Sequence, residues 1–263
     1  MTKHIFLYAT GFLFLAAGCK KAENLTGPAD TSTAYVSITN ANASGKTVNV
    51  FADNAQLTLP VTTPLAIAPN ATVLGQYTGV TPGTHLLEIR ENATVPNTFY
   101  TGNITVAGKQ AYSFYVFDTL KTGRFKGILL TTDRKIYPTS LSANVRFLNL
   151  SPKSPALDFW MIRREGGTAK DSVKVASIAP YLGNVATPDP SVLSVTTSIV
   201  ASRNAGAAGA GTPSSDYLLK LKLANTSTTV FTSAAATIIP GRNYTFFARG
   251  VYPGIGISTV LDN

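Results

Sequence analysis

The sequence predicts an all-β protein built from two tandem β-sandwich domains. From residue 34 onward, short alternating apolar segments rich in Thr, Val, Tyr and Phe are separated by Gly, Pro, Asn and Asp. This spacing is typical of strands joined by turns, and no long segment shows the spacing of an amphipathic helix. The second observation is that this pattern occurs twice, and 263 residues are enough for two domains.

The internal repeat is visible as two pairs of matching segments. Residues 36–51 align without gaps on residues 145–160, which lie 109 positions later. Residues 86–90 recur as residues 218–222, which lie 132 positions later. Because a repeated supersecondary unit gives this signature, we expect domains at 34–136 and 141–263, joined through the proline-containing segment between them.

The second copy contains an insertion, which we place near residues 186–215. Its Gly-, Ala- and Ser-rich part, at residues 205–215, buries little apolar surface, so we expect a flexible loop. The segment 191–200 just before it has the composition of a further strand.

The strand count indicates the type of sandwich. Each copy offers roughly seven short strands over about 100 to 120 residues, which is typical of an immunoglobulin-like sandwich. A single up-and-down barrel is the alternative, but the repeat favours two separate sandwiches.

The N-terminus has the features of an export signal. Residues 5–17 are uncharged and apolar, but a helix of this length spans only about 20 Å, against about 30 Å for the hydrocarbon core of a membrane. We therefore interpret residues 1–18 as a signal peptide and residues 19–33 as a tether.

The sequence Leu15-Ala16-Ala17-Gly18-Cys19 resembles the lipobox of bacterial lipoproteins. The resemblance implies that Cys19 receives a diacylglyceryl group and becomes the new N-terminus. The alternative is a free thiol near the start of the chain. Lipidation predicts attachment to a membrane of the bacterial cell envelope, with the outer membrane as the expected one and its periplasmic or surface side left open.

A family resemblance covers nearly all of residues 34–263. It rests on the strand and Ser-Pro turn at 145–152, the Asp-aromatic strand at 155–160, the Pro-Gly turn at 82–83 and the Gly-Arg-Asn-Tyr-Thr-Phe segment at 241–246. These motifs resemble those of the bacterial domain of unknown function 4397, in tandem. The resemblance implies an immunoglobulin-like fold in envelope lipoproteins and no established activity.

Residues for catalysis or metal binding are scarce. Once the signal peptide is removed, His85 is the only histidine, so zinc sites and a catalytic triad lack partners. We expect His85 to be a surface or strand-edge histidine. A glycosidase pair formed by distant carboxylates such as Asp158 and Glu165 has no supporting pattern. We therefore predict no enzyme, no cofactor and no metal.

The 22 basic residues outnumber the 13 acidic ones, but charged residues make up only 13% of the chain. Arg163 and Arg164, like the basic residues around Phe125, accompany no nucleic-acid-binding motif. We interpret them as solvated strand edges and do not expect nucleic acid as a partner.

The aromatic residues give a weak indication of a ligand. In residues 157–162, Leu157, Phe159 and Met161 share one strand face, and Trp160 lies on the other. Trp160, and its counterpart Phe51 in the first copy, could stack against a sugar of a glycan. The alternative for Trp160 is packing in a second layer or contact between the domains.

These observations favour a non-enzymatic, lipid-anchored envelope protein that binds an unknown glycan or protein, or supports the envelope. One alternative is a surface glycan-binding accessory lipoprotein of a nutrient uptake system. Another is an adhesin or fimbrial-type subunit. Asp118-Thr119-Leu120 and Asp171-Ser172-Val173 also resemble bacterial O-glycosylation signals.

Overall fold

The structure is a computed structural model of the chain. It describes residues 32–57, 66–67, 77–118, 124–137, 139–184, 197–203 and 215–262. The signal peptide, Cys19, the tether to residue 31 and the Gly- and Ala-rich part of the insertion lie outside the described residues. Among the described residues, no helix has the length and apolar character needed to cross a membrane.

The first copy is built from strands β1 to β9. Their bounds are β1 (Ala34–Asn40), β2 (Val48–Ala52), β3 (Ala55–Gln56), β4 (Ala66–Ile67), β5 (Thr78–Val80), β6 (Gly83–Glu91), β7 (Thr98–Val106), β8 (Ala111–Phe117) and β9 (Lys126–Thr132).

The second copy is built from strands β10 to β17 and one short 3₁₀ turn at Leu182–Asn184. The strands are β10 (Ser142–Asn149), β11 (Leu157–Glu165), β12 (Thr168–Ala179), β13 (Thr197–Val200), β14 (Ser215–Leu223), β15 (Thr229–Ala236), β16 (Asn243–Arg249) and β17 (Gly256–Leu261). β13 is the described part of the strand that the sequence predicts within the insertion.

The two copies have the same sheet topology. The first contains one sheet in the order β5-β1-β8-β9 and one in the order β3-β2-β6-β7, with β4 also paired to β2. The second repeats this with β13-β10-β16-β17 and β12-β11-β14-β15. In each copy, the first strand runs parallel to the next-to-last strand. The prediction of an all-β fold with two tandem β-sandwiches is confirmed.

A side-chain hydrogen bond also recurs in both copies. Ala107 N–H donates to the Tyr112 hydroxyl over 2.9 Å, and Ile239 N–H donates to the Tyr244 hydroxyl over 2.9 Å. Both donor and acceptor are displaced by the 132 positions that separate the matching sequences. The sequence repeat is therefore a structural repeat.

Alternating side chains form the core of each sandwich. On β11, Leu157, Phe159 and Met161 are completely buried, as their spacing predicts. Phe159 stacks on Phe147 of the facing sheet with ring centroids 4.7 Å apart. Trp160 is half-buried and lies on the opposite face of the same strand.

The two sandwiches pack against each other through the sheets that contain β8 and β16. The buried residues of this interface are Ala41, Tyr115, Phe117, Ile128, Leu130, Leu148, Leu150, Tyr181, Leu182, Phe247 and Val260. Since Phe114 and Phe246 face the two sandwich cores, these sheets are buried on both faces. Parallel strand pairs are usually buried in this way. The result is a body of four sheet layers.

Candidate functional site

Trp160 lies on the solvent-facing side of the outermost sheet of the second copy. Its neighbours across β11 are Lys174 of β12 and Lys220 of β14. The Lys174 ammonium lies 5.2 Å from the centre of the indole ring, and the Lys222 ammonium lies 4.8 Å from it. Both are within the range of cation–π attraction.

The position of Trp160 on an outer sheet excludes one of the roles considered for it, contact between the domains. The contact between the two sandwiches uses the inner sheets, so contact between the domains is not the role of Trp160. Among the described residues, no further layer covers its sheet. The possible stacking role stays a prediction.

Phe51 occupies the equivalent place on β2 in the first copy. The Arg90 guanidinium lies 4.1 Å from the centre of the Phe51 ring. Arg90 is the counterpart of Lys222 in the repeat, so both copies place a cation over an outward aromatic ring. The copies differ in charge, because Arg90 also forms an ion pair with Glu88 over 2.6 Å.

The cluster around Trp160, which includes Lys174, Lys220 and Lys222, contains one carboxylate, Asp158. Asp158 is buried and accepts hydrogen bonds from the Lys174 ammonium over 2.9 Å and from Ile178 N–H over 2.8 Å. Burial opposes ionisation, but these donors outweigh it and lower the pKa of Asp158. Lys220 and Lys222 have no carboxylate partner in the described part of the chain, so the cluster carries excess positive charge.

The suggested glycosidase pair does not form. Asp158 and Glu165 lie at opposite ends of β11, and residues an odd number apart point to opposite faces of a strand. Glu165 is bound by Arg163 and Arg203. Each carboxylate is therefore held by its own cations, far from the other.

The basic residues near strand ends are mostly paired. Arg163 bonds Asp171 over 2.5 Å, and Arg164 forms a two-point ion pair with Asp216 over 2.7 and 2.9 Å. Asp171 and Ser172 of the second glycosylation signal lie exposed on β12. In the first signal, Thr119 and Leu120 are outside the described residues.

The expectation of a surface or strand-edge His85 is wrong, because its side chain is buried and its strand, β6, is paired on both sides. Nδ1 lies 2.6 Å from a carboxylate oxygen of Asp53, and Nε2 lies 2.7 Å from the carbonyl oxygen of Thr81. The Asp53 hydrogen bond is the main cause that raises the pKa of His85. No sequence pattern indicates this contact, since Asp53 lies in the β2–β3 turn, far from His85 in the chain.

A polar cluster at the contact between the sandwiches was also missed. Arg146 donates to the Thr131 carbonyl over 2.9 Å and to the Thr132 hydroxyl over 3.2 Å, both in the other copy. Asp262 lies 3.7 Å from Arg146 and accepts from the Thr245 hydroxyl over 2.6 Å. Burial raises the pKa of Asp262 to about 6. This cluster joins the copies.

A cavity of about 350 Å³ adjoins this cluster and is lined by polar side chains. The amide of Asn144 donates to Asn243 over 2.8 Å, and Asn243 donates to the Asp133 carbonyl over 2.9 Å. The lining groups thus bond one another and hold the interface. Within the described ranges, His, Cys, Asp and Glu side chains form no group that could hold a metal ion.

The fold and the solvent-facing cluster define a class: an all-β protein of two packed sandwiches with an aromatic and cationic outer face. The family model described as Domain of unknown function (DUF4397) matches residues 34–160. The chain therefore carries a DUF4397 domain over these residues. The match includes the first copy, β10 and the start of β11, and the rest of the second copy is related to it by topology.

The solved structures found to be similar include three from Bacteroides. A proposed cell adhesion protein of Bacteroides ovatus ATCC 8483 has 10% identity, with 89% of this chain and 97% of that chain covered and a TM-score of 0.21. A proposed cell adhesion protein of Bacteroides fragilis NCTC 9343 has 8% identity, with 89% of this chain and 98% of that chain covered and a TM-score of 0.21. A proposed adhesin of Bacteroides ovatus has 11% identity, with 86% of this chain and 92% of that chain covered and a TM-score of 0.19. No role is transferred at such TM-scores. No curated protein matches the chain.

Proposed function

We propose that this chain is a non-enzymatic, lipid-anchored protein of the bacterial cell envelope that binds a ligand through the face around Trp160. The observation that carries the binding role is the partly buried indole that Lys174 and Lys222 contact on an outer sheet. The sandwich core does not need an aromatic ring there, and exposed aromatic residues are frequent anchors at binding surfaces.

The anchor is supported by the segment Leu15-Ala16-Ala17-Gly18-Cys19 and by the absence of any other cysteine in the sequence. The test is metabolic labelling with an alkyne fatty acid in a bacterial host. We expect the wild-type chain to incorporate label and Cys19→Ser to incorporate none. Label retained by Cys19→Ser would refute lipidation at this residue.

The binding role is tested with Trp160→Ala. We expect the full chain to bind carbohydrates on an array, or proteins extracted from envelopes, and the variant to bind at least tenfold more weakly, since an aromatic anchor contributes about 1 to 2 kcal/mol. The variant should keep a cooperative melting curve, because Trp160 lies outside the core.

Tyr137→Ala is the matched control, since Tyr137 is also half-buried beneath a cation, Lys135, at 5.3 Å. It should bind like the wild type. Equal binding by Trp160→Ala and the wild type would contradict the assigned contact face.

A second candidate function is a glycan-binding accessory of a nutrient uptake system. It is favoured by the same indole, because sugar rings stack their C–H faces on aromatic rings. Binding to neutral oligosaccharides that is lost in Trp160→Ala would select this candidate.

A further inference from the structure

We propose that the face around Trp160 binds an acidic carbohydrate, of the kind rich in uronate groups. This inference rests on the proposed function and names the ligand class of the same site. It is argued from the charge of the cluster, from the geometry of the ring and from the contrast between the two copies.

The excess positive charge of the cluster favours a negatively charged ligand. Lys174 of β12 and Lys222 of β14 place their ammonium groups near the ring, and Lys220 of β14 lies directly across from Trp160. Asp158 offsets one of them and is itself almost completely buried, which leaves its carboxylate inaccessible to a ligand. An incoming carboxylate would therefore find unpaired ammonium groups and no exposed repelling charge among the described residues of the cluster.

The ring supplies the second half of the recognition. The indole of Trp160 would provide an apolar surface for the C–H groups of a pyranose once the flexible Lys174 and Lys222 side chains turn from the ring to the carboxylate of the same sugar. A neutral sugar would use only the ring. Single-stranded nucleic acid also combines stacking with positive charge, but along a basic groove that follows several nucleotides, and an anionic membrane would use a much larger basic area.

The first copy lacks this combination. Its ring, Phe51, lies beneath Arg90, but Arg90 is neutralised by Glu88 over 2.6 Å. Glu88 also lies directly across from Phe51, where the second copy has Lys220 across from Trp160. We therefore assign acidic carbohydrate binding to the second copy alone.

The chain contains a single tryptophan, so its fluorescence reports this site directly. The experiment titrates the full chain, in a sugar-free nonionic detergent, with oligogalacturonate and follows the emission. We expect a saturable change that weakens as salt is raised, because screening reduces attraction between exposed charges. A carboxyl-reduced oligomer of the same length should give a much weaker response.

The variant that tests the charges is Lys220→Gln/Lys222→Gln. We expect its dissociation constant for oligogalacturonate to be about fivefold to tenfold higher, the effect of removing two exposed charge contacts. Lys109→Gln/Lys153→Gln removes the same charge from two exposed turns and should leave the dissociation constant unchanged. Phe51→Ala should also leave it unchanged.

Three outcomes would overturn the inference. One is an equal response to the reduced oligomer, which contradicts the acidic class and leaves the proposed binding role standing. Another is a stronger response to single-stranded DNA or to phosphatidylglycerol vesicles than to oligogalacturonate. The third is no response to oligogalacturonate by a folded wild-type chain. Failure of the binding role itself is separate, because it requires that Trp160→Ala change no binding at all.

Discussion

At the scale of single residues, hydrogen-bond partners set the charge of His85. Nε2 faces the carbonyl oxygen of Thr81 and Nδ1 faces the Asp53 carboxylate, and both partners only accept hydrogen bonds. These partners favour the form in which both ring nitrogens donate, the imidazolium, and so raise the pKa of His85. The same pair lowers the pKa of Asp53. His85 thus holds the β2–β3 turn against the start of β6 as a charged group.

Two titrating residues give a pH-dependent stability of the same sign. Asp262 has a folded-state pKa of about 6 against 3.8 for the free side chain, and His85 has one raised above 6.5. In both cases the folded state binds protons more tightly than the unfolded state. The free energy of unfolding therefore falls as pH rises from about 4 through the raised pKa of His85.

We expect lower stability at pH 8 than at pH 5 in urea unfolding. The full pKa shift of Asp262, from 3.8 to about 6, corresponds to about 3 kcal/mol, of which about 1.4 kcal/mol is lost between pH 5 and pH 8. Asp262→Asn, which mimics the protonated carboxyl, should remove the part of the slope below pH 6, and His85→Gln should remove the part above it. A pH dependence identical in the wild type and both variants would show that these residues are not its source.

The sequence predicted which face of β11 Trp160 would occupy, because that follows from the two-residue period of a strand. It did not predict the lysines around the ring. Lys174 and Lys222 reach Trp160 only through the pairing of β11 with β12 and β14, and the register of β14 depends on contacts across more than fifty residues. His85 and Asp53 were missed for the same reason.

At the scale of elements, the repeat predicted which strands correspond, since equivalent strands carry equivalent side-chain contacts. Asn40 donates to the Lys46 carbonyl over 2.9 Å, and Asn149 donates to the Pro155 carbonyl over 3.3 Å. Both pairs differ by the 109 positions of the first sequence match. Each contact closes the turn after the first strand of its copy.

Sequence spacing could not predict how the strands are ordered in the sheets. The parallel pairs β1–β8 and β10–β16 join segments about seventy or more residues apart, so no local pattern specifies them. Their signature is burial on both faces, visible in the mostly apolar sequence of β8, whereas β16 is buried along six of its seven residues although it includes Asn243 and Thr245. Such sequences indicate buried strands but not their partner.

At the scale of the whole molecule, the packing of the inner sheets turns two sandwiches into one body. Tyr115 and Phe247 meet edge to face across the contact with ring centroids 5.8 Å apart, and the Arg146 bonds to Thr131 and Thr132 lie in the same contact. The remaining two sheets then face outward on opposite sides. Trp160 and Phe51 thus point away from each other.

A lipid at Cys19 would hold this body beside a membrane, with the Trp160 face available for a ligand in the envelope. The contact surface is tested most directly in living cells by photo-crosslinking. A benzophenone amino acid replaces Thr232, which is exposed on the outer face of the second copy and lies across from Lys220. The control replaces Thr101, which is exposed on the outer face of the first copy.

We expect an ultraviolet-dependent adduct with an envelope carbohydrate or protein at position 232 and none at position 101. No adduct at position 232, or adducts of equal yield at both positions, would contradict a ligand-binding role for the face around Trp160.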